Sequence, residues 1–256
     1  MGVGTDIGGS IRKSHVLLTL AFRVLICSGI PASFCGLYSL KPSFGRFPTY
    51  GARSGMPGQE AVRSINGPMS ASLEGVQLWM KAVLASKPWQ RDPNVIHLPF
   101  REDRLVRQRP MYIGLITDNG LVRPTPAITR ALAITRKALE DAGHIVVEWS
   151  LGYDGELLSI LLRLFEADGG EHIAKFIADS GEPYPLGMKP YEQAYEAAQK
   201  VAKPNVADYW KLQAQRTALA KKCLDAWMSS AAFEKSPGRP FDAVISPATP
   251  WPACPQ

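Results

Sequence analysis

The pattern of apolar and polar positions changes near residue 72. Residues 1–70 are rich in Gly, Pro and Ser, and this composition predicts loops and tight turns. From Ser72 to about Ser86, apolar residues recur every three or four positions, which predicts a helix. One face of that helix is apolar and consists of Val76, Trp79, Met80, Val83 and Leu84. Residues 87–110 are interrupted by Pro and predict an extended connector.

The next segment has the pattern of a strand, a helix and a second strand. The run MYIGLI over residues 111–116 predicts a buried strand, and IVVEW over residues 145–149 predicts another. Between them, Thr125 and Pro126 provide an N-cap and a first-turn proline, and Gly143 marks the end of the helix. This order predicts a right-handed parallel crossover.

The remaining apolar periodicity predicts further helices and one more strand. Helical spacing covers residues 157–180, a shorter stretch around residues 191–201, and residues 206–233. The residues Asp168-Gly169-Gly170-Glu171 lack the spacing of a calcium loop and favour a helix break. The run FDAVIS over residues 241–246 predicts a short apolar strand. The chain is therefore predicted to be an α/β protein.

Composition narrows the class of protein. The 256 residues are 46% hydrophobic, which excludes a disordered chain. The net charge is +6, but without a long Lys/Arg run it does not favour a nucleic-acid-binding protein. Four cysteines in a chain of this length predict reduced thiols, and Cys35 is expected to be a small buried thiol. No apolar run is long enough to span a membrane, and the four histidines show no metal-ligand spacing.

The glycine-rich segment Gly4-Thr5-Asp6-Ile7-Gly8-Gly9-Ser10-Ile11-Arg12 is the chemical centre of the sequence. A dinucleotide-binding loop would need a third glycine where Ile7 stands and a strand before Gly2, so that interpretation fits poorly. A plain structural turn is a second interpretation. The third is a nucleophile loop, in which successive backbone amides stabilise an oxyanion beside the Ser10 hydroxyl.

The motif and several later segments resemble the amidase signature family of serine hydrolases, in particular its fungal acetamidase-like general amidases. The similarity begins at GVGTDIGGSIR and continues through PASFCGLYSLKPSFGR, PGQEAVRSINGPMSASLEGVQLWMKAVLASKPW and DNGLVRPTPAITRALAITRKALEDAGHIVVEW. It resumes at FDAVISPATPWPACPQ, so it covers nearly all of the chain except residues 13–29. A match of this length and order is far more specific than a single glycine motif.

The resemblance implies a fold and a reaction. The fold would be a single α/β domain with a mixed, mostly parallel central sheet surrounded by helices, of which residues 1–256 are an incomplete part. The reaction would be hydrolysis of carboxylic amides to an acid and ammonia or an amine, without a metal or organic cofactor. The implied partner is a small-molecule amide, with no nucleic acid and no membrane span; a cytoplasmic protein is expected, and a homodimer is allowed.

Mapped by motif, the resemblance also assigns the site. The nucleophile falls on Ser10, and the oxyanion amides fall on Ile7, Gly8, Gly9 and Ser10 itself. Asp6 and Arg12 flank the loop and are expected to support its shape by charge-assisted hydrogen bonds. In the family, a buried neutral lysine removes the serine proton through a second serine with a cis peptide bond. The resemblance further implies that residues 161–171 lie in the variable part that shapes the acyl pocket.

The sequence departs from the family in two respects. The family's lysine and its bridging serine, in a GGSSGG-type stretch, precede the nucleophile, whereas nine residues precede Ser10 here. Lys13, Lys41 and Lys81 lie downstream and match no catalytic position, so the chain as written is not expected to be a competent amidase. Both ends are interpreted as cuts, because a glycine loop opens directly after Met1 and a Pro-rich loop follows the last predicted strand. Residues 13–29 are the second departure, and we interpret them as a non-native insertion or the translation of a retained intron. The alternative is a genuine apolar insertion next to the predicted nucleophile loop. The alternative for the whole chain is a catalytically inactive truncated product or pseudoenzyme with at most ligand binding.

Overall fold

The structure is a computed structural model that describes residues 1–6, 29–52, 54, 56–104, 109–184, 188–200 and 204–252. The strands within these residues are β1 (Gly2–Asp6), β2 (Tyr38–Ser39), β3 (Ile65–Ser70), β4 (Tyr112–Leu115), β5 (Ile145–Glu148) and β6 (Ala243–Ile245). The helices are α1 (Gly29–Phe34), α2 (Leu73–Ala85), α3 (Pro126–Asp141), α4 (Asp154–Phe165), α5 (Glu171–Ser180), α6 (Lys189–Ala198) and α7 (Val206–Ser229). Short 3₁₀ turns cover Pro88–Gln90, Glu102–Arg104 and Ser230–Ala232.

The N-terminal part contains an antiparallel sheet in the order β1-β3-β2. The prediction of loops and turns throughout residues 1–70 is therefore wrong for β1 and β3. Gly and Pro lower the intrinsic strand preference of both segments, but pairing along five residues of β1 outweighs it. Pro68 is tolerated in β3 because the two-residue strand β2 pairs only with Met69 and Ser70.

Helix α2 follows the antiparallel sheet and confirms the predicted helix. Ser72 is its N-cap, and the Ser72 Oγ accepts a hydrogen bond from the Gly75 amide at 3.1 Å. Val76 and Leu84 of the predicted apolar face are buried. The Trp79 ring meets the ring of Phe47 edge-on, with centroids 4.6 Å apart.

A parallel sheet in the order β5-β4-β6 forms the second layer of strands. Helix α3 connects β4 to β5, which confirms the predicted parallel crossover. The sheet and α3 share a core of four buried residues, Ile113, Leu115, Leu132 and Val146. The α/β class is confirmed, and the described strands pair both parallel and antiparallel, in two three-stranded sheets.

The C-terminal helices follow the predicted apolar periodicity with one interruption. The helical segment predicted over residues 157–180 is divided into α4 and α5 by a loop in which Gly169 and Gly170 have φ of 67° and 79°. Only glycine adopts this left-handed conformation readily, so the expected helix break at the Asp-Gly-Gly sequence is confirmed. Helix α7 runs for 24 residues and packs against α4.

Candidate active site

The predicted nucleophile loop follows β1 in the sequence. Ile7, Gly8, Gly9, Ser10 and Arg12 lie outside the described residues, so their predicted roles stay predictions. The backbone of Asp6, the last described residue before them, ends β1.

The register of β1 fixes where this loop starts. Asp6 pairs with Ile65, the first residue of β3, and the two strands are antiparallel. The end of β1 therefore meets the beginning of β3. In the sequence, the predicted nucleophile segment follows Asp6, and residues 56–64 precede Ile65. We call residues 56–62 the entry segment.

The entry segment is held between α4 and α7. Met56 is buried against Leu158 and Phe165 of α4. Ala61 is buried in a second cluster with residues of both helices, namely Ile160, Leu164 and Leu212. The entry segment also closes a turn of its own, because the Gln59 side-chain oxygen accepts the Val62 amide at 2.7 Å. These contacts give the segment a fixed position beside the start of β3.

A cavity of about 240 Å³ lies between the entry segment and the end of α4. Its walls are mostly apolar on the side of Met56, Leu164 and Phe165. The polar side chains on the cavity are Gln59, Asp168, His172 and Tyr209. Four of the residues expected to shape an acyl pocket line it, and these are Leu164, Phe165, Ala167 and Asp168.

Asp168 and His172 form a hydrogen-bonded pair on this cavity. The His172 Nδ1 lies 2.9 Å from the Asp168 Oδ2, and the carboxylate also accepts the backbone amides of Gly170 at 2.9 Å and His172 at 3.2 Å. Burial acts to raise the pKa of the Asp168 carboxyl, but these hydrogen bonds outweigh it and hold the pKa below its ordinary value. Asp168 is therefore an anion at neutral pH, and it fixes the orientation of the imidazole.

Sequence reasoning treated the residues of this pair separately. The sequence places Asp168 in a predicted helix break and His172 among four widely spaced histidines. The signal that could have joined them is an acidic residue directly before the start of α5, where its carboxylate can accept the first backbone amides and reach a side chain of the first turn.

Three other candidate side chains among the described residues have structural contacts. His97 stacks on Trp89 with ring centroids 4.4 Å apart, and the His144 Nδ1 accepts the Met111 amide at 3.2 Å. Lys81 pairs with Glu102 at 2.5 Å. Within the described ranges, His, Cys, Asp and Glu side chains form no group of three or more that could hold a metal ion.

Cys35 corrects one expectation. It was expected to be a buried thiol, but it is exposed because it follows the last residue of α1, in a turn that Gly36 closes with a φ of 65°. Cys35 and Cys223 are both free. No helix among the described residues has the length and apolar character needed to cross a membrane.

Comparisons with known proteins agree on one family. The family model described as Amidase matches residues 1–256. The chain is 32% identical over 253 residues to the acetamidase of Aspergillus oryzae, an alignment that covers 96% of this chain and 42% of the relative. It is also 32% identical over 261 residues to the acetamidase of Emericella nidulans, covering 98% of this chain and 42% of that protein. The chain thus spans less than half the length of these curated relatives.

A solved structure shows the same likeness in three dimensions. The structure of a fatty acid amide hydrolase superposes with a TM-score of 0.73 at 30% identity, covering 88% of this chain and 36% of that chain. The bacterial aryl acylamidase of the amidase signature family superposes with a TM-score of 0.62 at 18% identity, which is a likeness of fold alone.

Proposed function

The chain belongs to the amidase family, and on that premise we propose that the protein carrying it hydrolyses carboxylic amides to an acid and ammonia or an amine. The observation that carries the proposal is the family match over the whole chain, which includes the sequence GTDIGGSIR around Ser10. Small aliphatic amides are the first substrates to test, because two of the relatives are named acetamidases.

The proposed reaction runs through an acyl-enzyme on Ser10. The Ser10 oxygen attacks the amide carbon, and the carbonyl oxygen becomes an oxyanion that the amides of residues 7–10 stabilise. The C–N bond then breaks, and the proton that leaves Ser10 passes through the general base to the departing nitrogen. Water attacks the resulting ester, releases the acid and returns the proton to Ser10. Asp6 and Arg12 act in this proposal as supports for the loop.

No motif in this chain identifies the general base of the proposed reaction. In the resemblance, a lysine acting through a second serine takes the Ser10 proton, and neither matches a position in these 256 residues. A triad serine without its base loses several orders of magnitude in rate. We therefore expect the 256-residue chain alone to be inactive, which is the outcome that the truncated-product alternative also describes.

Two finer features belong to the proposal. The free thiols of Cys35 and Cys223 support a cytoplasmic location, since reducing compartments keep such thiols unpaired. Residues 13–29 are proposed to be an insertion, because the resemblance runs from Arg12 directly to Ile30.

Steady-state hydrolysis by the native protein tests the proposal. Ammonia release from acetamide, propionamide and benzamide is measured for the wild type, for Ser10→Ala and for Ser33→Ala, an exposed serine on α1. Ser10→Ala should lower kcat at least a thousandfold, while Ser33→Ala should leave it within twofold. Equal activity of Ser10→Ala and wild type would overturn the assignment.

A further inference from the structure

Helix α7 has apolar side chains on two sides. Leu212 is buried in the core cluster that α7 shares with α4. At 100° per residue, four large exposed side chains lie within about 40° of one another and about 140° around the helix from Leu212. They are Val206, Trp210, Leu224 and Met228, which are 63%, 66%, 54% and 52% exposed. We call these four residues the outer stripe.

The dimensions of the outer stripe indicate a macromolecular partner. At 1.5 Å per residue the stripe is about 33 Å long from Val206 to Met228, which exceeds the length of a small-molecule site. Trp210 has the largest exposed fraction of the four. Aromatic side chains are enriched at protein interfaces, and tryptophan is among the residues that contribute most to binding there.

The outer stripe is symmetric about Thr217. Trp210 and Leu224 each lie seven residues from Thr217, and Val206 and Met228 each lie eleven residues from it. In an antiparallel pair of α7 helices with a twofold axis at Thr217, residues at equal distances on either side of it share one layer of the contact. Trp210 of each copy therefore packs with Leu224 of the other. Val206 packs with Met228 in the same way.

The centre of the stripe is small, which lets two helices approach closely. Ala214 and Ala220 lie three residues before and after Thr217, and all three are exposed. The Thr217 hydroxyl donates to the Gln213 carbonyl at 3.1 Å, so it is satisfied within its own helix. No bulky side chain of these central positions holds the helices apart.

The lysines beside the stripe have carboxylate partners on the same helix. Lys221 pairs with Asp225 at 2.5 Å, and Lys211 pairs with Asp208 at 3.0 Å. A copy packed on the stripe would therefore bring no lysine into the contact without its counter-ion.

We propose that the outer stripe of α7 is a contact surface between two copies of the protein, packed antiparallel about a twofold axis at Thr217. The other candidate occupant is part of a longer amidase chain, because this chain spans less than half the length of its relatives. The symmetry of the stripe favours a second copy, since a twofold contact needs a self-complementary surface and a contact within one chain does not.

The area of the stripe sets the strength of the dimer. A face about 33 Å long and 10 Å wide on each copy gives a total buried area of about 700 Å², below the roughly 1,200 Å² of stable complexes. We therefore expect a reversible dimer with a dissociation constant of about 1–100 μM.

Sedimentation velocity of the native protein, expressed from its full transcript, tests the inference between about 1 and 200 μM. Wild type should shift from monomer to dimer across this range. Trp210→Glu and Leu224→Lys should each raise the dissociation constant at least tenfold. The control is Ile134→Glu, the same kind of change at an exposed apolar position of α3, and it should leave the constant within twofold.

Two further variants test the antiparallel arrangement. In the double variant Trp210→Glu/Leu224→Lys, each new acid would face a new lysine of the other copy, so dimerisation should recover relative to either single variant. Thr217→Cys should form a disulfide between its two copies under mild oxidation, identified by peptide mapping. Gln215→Cys, exposed about 160° around the helix from the stripe, should not.

Three outcomes would overturn the inference. A native protein that stays monomeric up to 200 μM would exclude the second copy, and a lowered unfolding temperature of Trp210→Glu would then show that the same chain covers the stripe. A dimer that persists in Trp210→Glu and Leu224→Lys would use another surface. Dimers of wild type without recovery in the double variant and without the Thr217→Cys link would exclude this arrangement. Circular dichroism of each variant confirms that it is folded.

Discussion

Asp242 is the residue that joins the starts of two parallel strands. Its carboxylate accepts the Tyr112 amide at 2.8 Å and an Arg109 guanidinium nitrogen at 2.9 Å, and it also pairs with Arg239. Burial acts to raise the pKa of Asp242, but these hydrogen bonds outweigh it and hold the pKa far below its ordinary range. The ionised carboxylate therefore stabilises the junction of β4 and β6.

Asp242→Asn should lower the free energy of unfolding by about 2–4 kcal/mol, because an amide cannot accept from three donors and leaves buried groups unpaired. Urea denaturation followed by circular dichroism measures the change. The matched control is Asp141→Asn, whose carboxylate forms an exposed pair with Lys137 at 2.9 Å and contributes about 0–1 kcal/mol.

Acid provides a second control on the same variant. Because the folded pKa of Asp242 is depressed, its stabilisation is complete above the unfolded pKa of about 3.9 and is lost as the pH falls toward the folded value. The difference between wild type and Asp242→Asn should persist at pH 7 and shrink below about pH 4. A difference that is independent of pH would contradict the assignment to the carboxylate charge.

Individual residues were predictable from sequence where the interaction is local. Ser72 as a helix start and Gly143 as a helix stop follow from neighbours a few positions away. The Asp242 carboxylate has one near partner, Arg239, and two distant ones, Tyr112 and Arg109, which lie 130 and 133 residues from it. No local pattern carries that pairing, so only the structure shows it.

Helix α2 packs closely against β3 of the antiparallel sheet at Gly75. A Cβ built on Gly75 would lie 2.2 Å from the Ser70 Oγ and 3.0 Å from the Ser70 Cβ. Ser70 is 8% exposed and its hydroxyl accepts the Ser72 amide at 3.3 Å, so moving it away would break this hydrogen bond. The helix therefore needs glycine at this position for close approach to β3.

Gly75→Ala should destabilise the protein by about 1–3 kcal/mol, although alanine is the better helix former. The control is Gly155→Ala in the first turn of α4, where the new methyl group would meet only Leu121 Cδ2 at 3.8 Å. That variant should be neutral or more stable by up to about 1 kcal/mol. Thermal unfolding of both variants decides the matter, and a stabilising effect at Gly75 would contradict the packing described.

The helices and strands with the clearest apolar periodicity were the ones that the sequence predicted best. Helices α2, α3 and α7 and strands β4 and β5 carry strong apolar patterns and were located within a few residues. Strands β1 and β3 were missed, because GVGTD and INGPMS have poor strand propensity and their partners are far apart in the chain. Their pairing is a tertiary effect that no window of sequence contains.

The entry segment connects the N-terminal and C-terminal parts of the described structure through its packing. The entry segment leads into β3 of the antiparallel sheet and packs against α4 and α7. The N-terminal and C-terminal parts therefore share two core clusters. The resemblance assigns a predicted role to the Ser10 loop from its motif, but it could not locate the cavity, which residues about 100 positions apart line. A site formed by consecutive residues can be predicted from a sequence motif, whereas a site formed by residues far apart in the chain cannot.

Deletion of residues 13–29 tests the organisation of the chain as a whole. If these residues are an insertion, the shortened chain should unfold at the same temperature or higher, because the resemblance joins Arg12 directly to Ile30. Differential scanning calorimetry measures the transition. A shortened chain that loses its cooperative transition would show that the segment contributes to the fold.

The central claim is that Ser10 is the nucleophile of an amidase, and covalent labelling tests it most directly. The native protein, expressed from its full transcript, is treated with a fluorophosphonate and digested, and mass spectrometry locates the modified peptide. The account predicts a single phosphonylated residue, Ser10, with labelling abolished in Ser10→Ala and slowed by an amide substrate. Modification of a different residue, or no modification of a folded protein that hydrolyses amides, would contradict it.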